Sequence, residues 1–178
     1  MTRSCQRSPL WALGGALLAL VPVSSANAGS LLDEWATLKN ERHGFAIAYP
    51  SQVFEQKTPP TTDQGRVLVS KDGKAKLLVG AFENSDNDTL EQYRKFLLEE
   101  QYSGADIDYA PIRRRWFVLS GTHNGQSFYQ RVSFTCGGKL ITSWAMLYPA
   151  NEGKIYDRVV EAVARTYTPG AGRSGACD

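Results

Sequence analysis

Along His43-Gly44-Phe45-Ala46-Ile47-Ala48-Tyr49-Pro50 large and small side chains alternate, a period of two that predicts a strand ended by Pro50. Two more strands are predicted over residues 66–70 and 75–82, joined by the turn Lys71-Asp72-Gly73-Lys74. Upstream, Leu31, Leu32, Trp35 and Leu38 fall on one side of a short helix over 31–39, and residues 58–64, with Pro59-Pro60, read as a loop. The period then changes: Leu90, Tyr93, Phe96 and Leu97 share a helical face with charges opposite. Asp88 is placed as the cap of that helix, with Glu91 three residues on at capping-box spacing. Asn87-Asp88-Thr89 also matches a glycosylation sequon and is read as the cap.

The strongest pattern lies between Arg113 and Tyr148. Asn124-Gly125 and Gly137-Gly138 supply the positive-φ positions of two-residue hairpins, so three long strands form a meander with a fixed register. Phe117 then faces Val132, Trp116 faces Ser133, Phe134 faces Ile141, Phe128 faces Leu147 and Arg131 faces Trp144. Because side chains alternate across a sheet, one face carries Phe117, Leu119, Phe128, Val132, Phe134, Ile141 and Leu147 and is a core face. The other carries Arg114, Trp116, Val118, Tyr129, Arg131, Leu140, Trp144, Met146 and Tyr148. It is too apolar to stay bare and too cationic and aromatic for an ordinary core. Two readings of it compete. In one, a helix covers the face and Arg131 stacks on Trp144 as a structural cation–π pair; in the other, part of it is an open groove for a ligand or partner. A closing helix follows over 153–167, with Ile155, Val159, Ala162, Val163 and Thr166 on one face, stopped by Pro169-Gly170 and followed by a flexible Gly-rich tail over 170–178.

The start of the chain does not belong to this pattern. Arg3 and Arg7, an apolar run over 10–23, Pro22 and then Ala26-Asn27-Ala28 read as a secretory signal over residues 1–28, cleaved to leave Gly29. The apolar run is too short for a stable span, so no stable membrane insertion is expected. The chain has 20 basic and 18 acidic residues; the signal carries two of the arginines and no acid, leaving 18 of each. That balance argues against nucleic acid as a partner. Residues 29–169 are then one domain, periplasmic or secreted in a Gram-negative bacterium. Two cysteines remain after cleavage, Cys136 and Cys177. They pair in an oxidising compartment, or else Cys136 is buried and Cys177 is free on the tail.

Chemistry motifs are sparse. Gly170-Ala171-Gly172-Arg173-Ser174-Gly175 matches the dinucleotide fingerprint as a string but follows a helix at the chain end, where no helix N-terminus follows to hold phosphate. His123 falls at a hairpin tip and His43 opens the first strand; neither has metal-ligand or triad spacing around it. Ser120 reads as an ordinary strand residue. Glu83, Asp86 and Asp88 lack the spacing of a calcium loop and read as a solvated turn. Arg113-Arg114-Arg115 is a solvated strand entrance. No catalytic residue, metal ligand or cofactor is assigned.

The opening strand and its Tyr49-Pro50-Ser51 ending resemble the start of the PsbP-like α/β fold, a group that includes the extrinsic photosystem II protein, bacterial DcrB-like proteins and a Ran-binding nuclear import factor. The order of elements is similar across nearly all of residues 41–169. The resemblance implies an α+β domain, an antiparallel sheet of about six strands flanked by helices, and no transferable active site, because the fold hosts unrelated binding and assembly roles. The expected function is a non-enzymatic exported domain binding an unknown envelope protein or small ligand through Arg114, Trp116, Tyr129, Arg131, Trp144 and Tyr148. The alternatives are an enzyme of unknown class using the same face, or a stabilising subunit of an envelope complex.

Overall fold

The computed structural model describes residues 32–56, 65–170 and 177; the signal expected over 1–28, the loop expected over 58–64 and most of the expected tail fall outside the described residues. Nine strands and two helices follow in order: β1 Trp35–Lys39, β2 Ala46–Pro50, β3 Phe54–Glu55, β4 Gly65–Ser70, β5 Lys76–Glu83, α1 Leu90–Phe96, β6 Asp106–Tyr109, β7 Trp116–His123, β8 Gln126–Thr135, β9 Leu140–Pro149 and α2 Gly153–Thr166. Seven strands form one antiparallel sheet in the order β3-β4-β5-β9-β8-β7-β6, and β1 pairs only with β2. The fold is thus α+β, with more strands than the alternation alone marks, because β3 and β6 are too short to show a period.

The meander has the register its turns dictate. Trp116 pairs Ser133, Phe117 pairs Val132, Phe128 pairs Leu147, Arg131 pairs Trp144 and Phe134 pairs Ile141. Asn124 (φ 50°) and Gly125 (φ 77°) make the first turn. The second is wider than a two-residue hairpin: a 3-10 turn follows Thr135, with Cys136, Gly137 and Gly138 all at positive φ.

Residues 32–39, the described part of the helix expected over 31–39, are not helical. Ala36 and Leu38 alternate with exposed Trp35, Thr37 and Lys39, and the backbone pairs with β2 instead. Leu32, Trp35 and Leu38 fit a helical stripe, but non-local strand pairing decides. His43 and Gly44 lie in the turn before β2, with Gly44 donating to the Asn40 carbonyl. His43 is buried and His123 half-buried, rather than exposed at its hairpin tip.

Helix α1 is capped by Thr89, one residue beyond Asp88. The Thr89 hydroxyl accepts from the Gln92 N–H (3.2 Å) and the Gln92 side chain accepts from the Thr89 N–H (2.8 Å), a complete capping box. Asp88 is held by its own N–H, which donates to Asn84. The helix continues as a π turn over Leu97–Gln101. It covers the expected core face: Leu90, Leu97 and Tyr102 pack with Phe117, Leu119, Phe128, Val132, Phe134 and Ile141.

The opposite face is covered by α2 and the β1–β2 pair. Tyr156, Val159, Val160 and Val163 meet Leu77, Val79, Leu140, Trp144 and Met146. The inward stripe is turned from the expected one, since Ile155 is 49% exposed. The Thr166 hydroxyl bonds both the N–H and the carbonyl of Ala48, and Thr168 bridges Ala46, so the end of α2 is stitched to β2. Cys136 and Cys177 form a disulfide. Among the described residues no helix is long and apolar enough to cross a membrane.

Candidate functional site

The structure divides the six proposed site residues. Trp144 is fully buried and Tyr148 is 5% exposed, both beneath α2, whereas Trp116, Tyr129 and Arg131 are half-buried and Arg114 is exposed. Tyr148 donates to Asp157 of α2 (2.6 Å) and packs 5.4 Å from the Tyr156 ring. Trp144 and Tyr148 are therefore core residues. They leave the candidate surface because α2 lies over β9.

What remains is built by the diagonals of the sheet. Arg131 does not stack on Trp144, its direct partner. Its guanidinium lies 4.6 Å from the Trp116 ring centre and 5.8 Å from that of Tyr167. Trp144 packs instead against Tyr129 (4.9 Å) and Tyr167 (6.2 Å). Diagonal neighbours two residues off register stay within reach of aromatic and long side chains, and Tyr129 and Tyr167 occupy the space around the Trp144 ring. Arg113 adds a second guanidinium 5.9 Å from the Trp116 ring centre. The row Tyr109, Ser120 and Tyr129 crosses the next positions of β6, β7 and β8 on the same face, with Tyr109 55% exposed.

The polar groups of this ledge are unevenly satisfied. Tyr167 donates to the Thr142 hydroxyl (3.0 Å). Arg131 Nε and Trp144 Nε1 are buried with no hydrogen-bond partner among the described residues. Among the described residues, Arg113, Arg114, Arg115 and Arg131 have no carboxylate in ion-pair contact. Two guanidinium groups, Arg113 and Arg131, therefore share the Trp116 ring without an ion-pair partner among the described residues, whereas Arg114 and Arg115 line a cleft beside α1 together with Asp88 and Glu91. Burial pushes the Tyr167 phenol up to about 12, against small opposing effects from Thr142, Ser133 and Arg131; burial also raises Tyr129, while Arg131 pulls it down. Each phenol keeps its proton at neutral pH.

Sequence reasoning missed Tyr109, Arg113 and Tyr167. Tyr109 sits on a strand too short to show a period, and Tyr167 arrives from the far end of α2, which no local spacing reports. Arg113 was visible in the arginine run but read as solvated. Its backbone N–H donates to the Trp116 carbonyl, which turns the run back over the ring. Glu83, Asp86 and Asp88 do not converge, and among the described residues no three His, Cys, Asp or Glu side chains gather as a metal site.

No protein-family model and no curated protein matches this chain. Solved structures do. The cyanobacterial PsbP (CyanoP) of Synechocystis sp. PCC 6803 superposes with a TM-score of 0.55 at 13% identity, covering 84% of this chain and 99% of that one. The Ran-binding protein Mog1p of Saccharomyces cerevisiae gives 0.50 at 10% identity, covering 78% and 96%. The likeness is one of fold, and the PsbP-like architecture implied by the opening strand is the one this chain adopts.

Proposed function

We propose that this protein is a non-enzymatic, extracytoplasmic binding domain whose partner docks on the ledge formed by Trp116, Arg131, Arg113, Tyr129 and Tyr109. The carrying observation is the placement of Arg131 between Trp116 and Tyr167 with no acidic partner among the described residues. Arg, Trp and Tyr dominate interface hot spots, and an unpaired guanidinium held against rings is pre-organised for a carboxylate. The partner is a protein presenting acidic side chains beside an apolar one. The Cys136–Cys177 disulfide supports a setting outside the cytoplasm.

An enzyme working at this face is the second reading. It is disfavoured by the direction of the phenol shifts, since burial holds Tyr129 and Tyr167 protonated and removes them as bases.

Affinity capture from an envelope fraction tests the proposal. A captured protein should bind less at high salt and should be lost by Arg113→Glu/Arg131→Glu. Capture indifferent to salt and to charge reversal overturns the reading.

A further inference from the structure

The face of the sheet under α1 is only partly covered. α1 and its π turn lie over β7, β8 and β9, and the sheet beyond them toward β4 forms a groove of about 420 Å³ whose lining includes Val67, Leu78, Ser143, Ala145 and Gln130, with Arg66 as its one charged residue. That volume falls within the range of small-ligand clefts, ~300–1,000 Å³. Its floor is low because Gly65 and Gly80 face each other across β4 and β5. A Cβ on Gly65 would meet the Val79 carbonyl oxygen at 2.9 Å. Val67, 51% exposed, and Leu78 make an apolar wall.

Small residues over a sheet do not make a site; Gln130 does. It is 6% exposed and interrupts the apolar run Phe128, Val132, Phe134 on the core face. Its orientation is fixed by a chain of bonds. Gln101 Nε2 donates to the Tyr102 hydroxyl (3.2 Å), which leaves that hydroxyl's proton for Gln130 Oε1 (2.7 Å). The Gln130 oxygen is thus engaged, and its –NH₂ has no partner among the described residues. Tyr102 is itself fixed by stacking on Phe128 at 4.0 Å between ring centres. That –NH₂ is not sealed in the core: it opens to the groove, where a ligand acceptor can take the place of solvent. π turns recur at functional sites, and here one places Gln101 and Tyr102 behind the donor.

We infer that this groove binds a small molecule with a compact apolar body and a carbonyl oxygen, the oxygen accepting from the Gln130 amide and the body lying on Leu78, Val67 and Ala145. The site is on the opposite face of the sheet from Trp116 and does not depend on the protein-docking reading. Ser143, half-buried in the groove wall, offers a second polar contact.

The test is an NMR titration of the disulfide-intact protein with isobutyramide, an isopropyl group bearing a neutral carbonyl. The readouts are the Gln130 side-chain amide and, as a control, the Trp116 indole. The expected result is a saturable shift of the Gln130 –NH₂ with the Trp116 indole unmoved. Gln130→Met removes the donor and should weaken binding at least tenfold, about 1.4 kcal/mol. Ser143→Leu fills the groove while leaving Gln130 and Tyr102 in place, and should abolish the shift. If Gln130→Met fails to fold, Ser143→Leu decides alone. No saturable shift, or a shift that survives Ser143→Leu, overturns the proposal.

Discussion

Arg131 stands directly opposite Trp144 in the strand register, yet its guanidinium rests on Trp116, 4.6 Å from the ring centre. Two cross-strand contacts of this face, Arg131 with Trp116 and Tyr129 with Trp144, follow sheet diagonals. The consequence is a division of labour: Trp144 sinks into the core under α2 and Trp116 stays at the surface, holding two guanidinium groups.

That division predicts opposite outcomes for two tryptophans. Trp144→Ala removes a fully buried side chain and should cost ~3–5 kcal/mol. Trp116→Ala removes a half-exposed ring with cation–π contacts of about 0.5–2 kcal/mol and should lower stability far less. Denaturant melts of the two variants check this, and equal losses would remove the distinction.

The alkaline limb of stability should report Tyr167. Its phenol is raised from 10.0 to about 12, chiefly by burial. A group whose folded value is raised contributes stability that is complete below its unfolded value and is lost as pH rises through the folded one. Stability should therefore fall between about pH 10 and 12, by ~3 kcal/mol from this residue at 1.36 kcal/mol per unit. Tyr148 and Tyr102, raised mainly by burial, add to the fall. In Tyr167→Phe the decline should be shallower, as read from melting temperature against pH.

The disulfide closes a sequence separation of 41 residues. In the chain-entropy picture that contributes about 4 kcal/mol, so Cys136→Ser/Cys177→Ser should melt well below the parent under non-reducing conditions. Adding reductant should lower the parent toward the double variant and leave the variant unchanged.

Gly121 in β7 pairs with Ile107 of β6, and a Cβ there would run into the Asp106 carbonyl oxygen. Gly121→Ala should force β6 away from the sheet at a cost of ~1–3 kcal/mol. Hydrogen exchange should show it as lost protection in Asp106–Tyr109, while β8 and β9 remain protected.

The parts of this fold that a reader of the sequence recovers are those set by local chemistry. Asn124-Gly125 and the glycine pair after Cys136 fix the register of β7, β8 and β9, and Phe45 to Pro50 announces the opening strand. The helix cap was displaced by one residue because Asp88 and Thr89 both suit the role, and only the Gln92 side chain returning to the Thr89 N–H decides between them. Residues 31–39 deceived because Leu32, Trp35 and Leu38 fit a helix, while Ala36 and Leu38 fit a strand edge equally well. The ledge was half legible: alternation put Trp116, Tyr129 and Arg131 on one face but could not say that α2 covers Trp144 and Tyr148, nor that Tyr167 returns to meet Arg131. Gln130 carried a signal that passed unused, a polar residue in the middle of a core-face run between Phe128 and Val132.

The measurement that tests the central claim most directly compares the protein with Trp116→Ala/Arg131→Ala in affinity capture from the native envelope fraction, each first shown to melt cooperatively. The account predicts a protein retained by the parent and lost by the still-folded double variant, with a melting temperature only slightly lowered. Equal capture by both, or a double variant that no longer folds because the pair is structural, would contradict it.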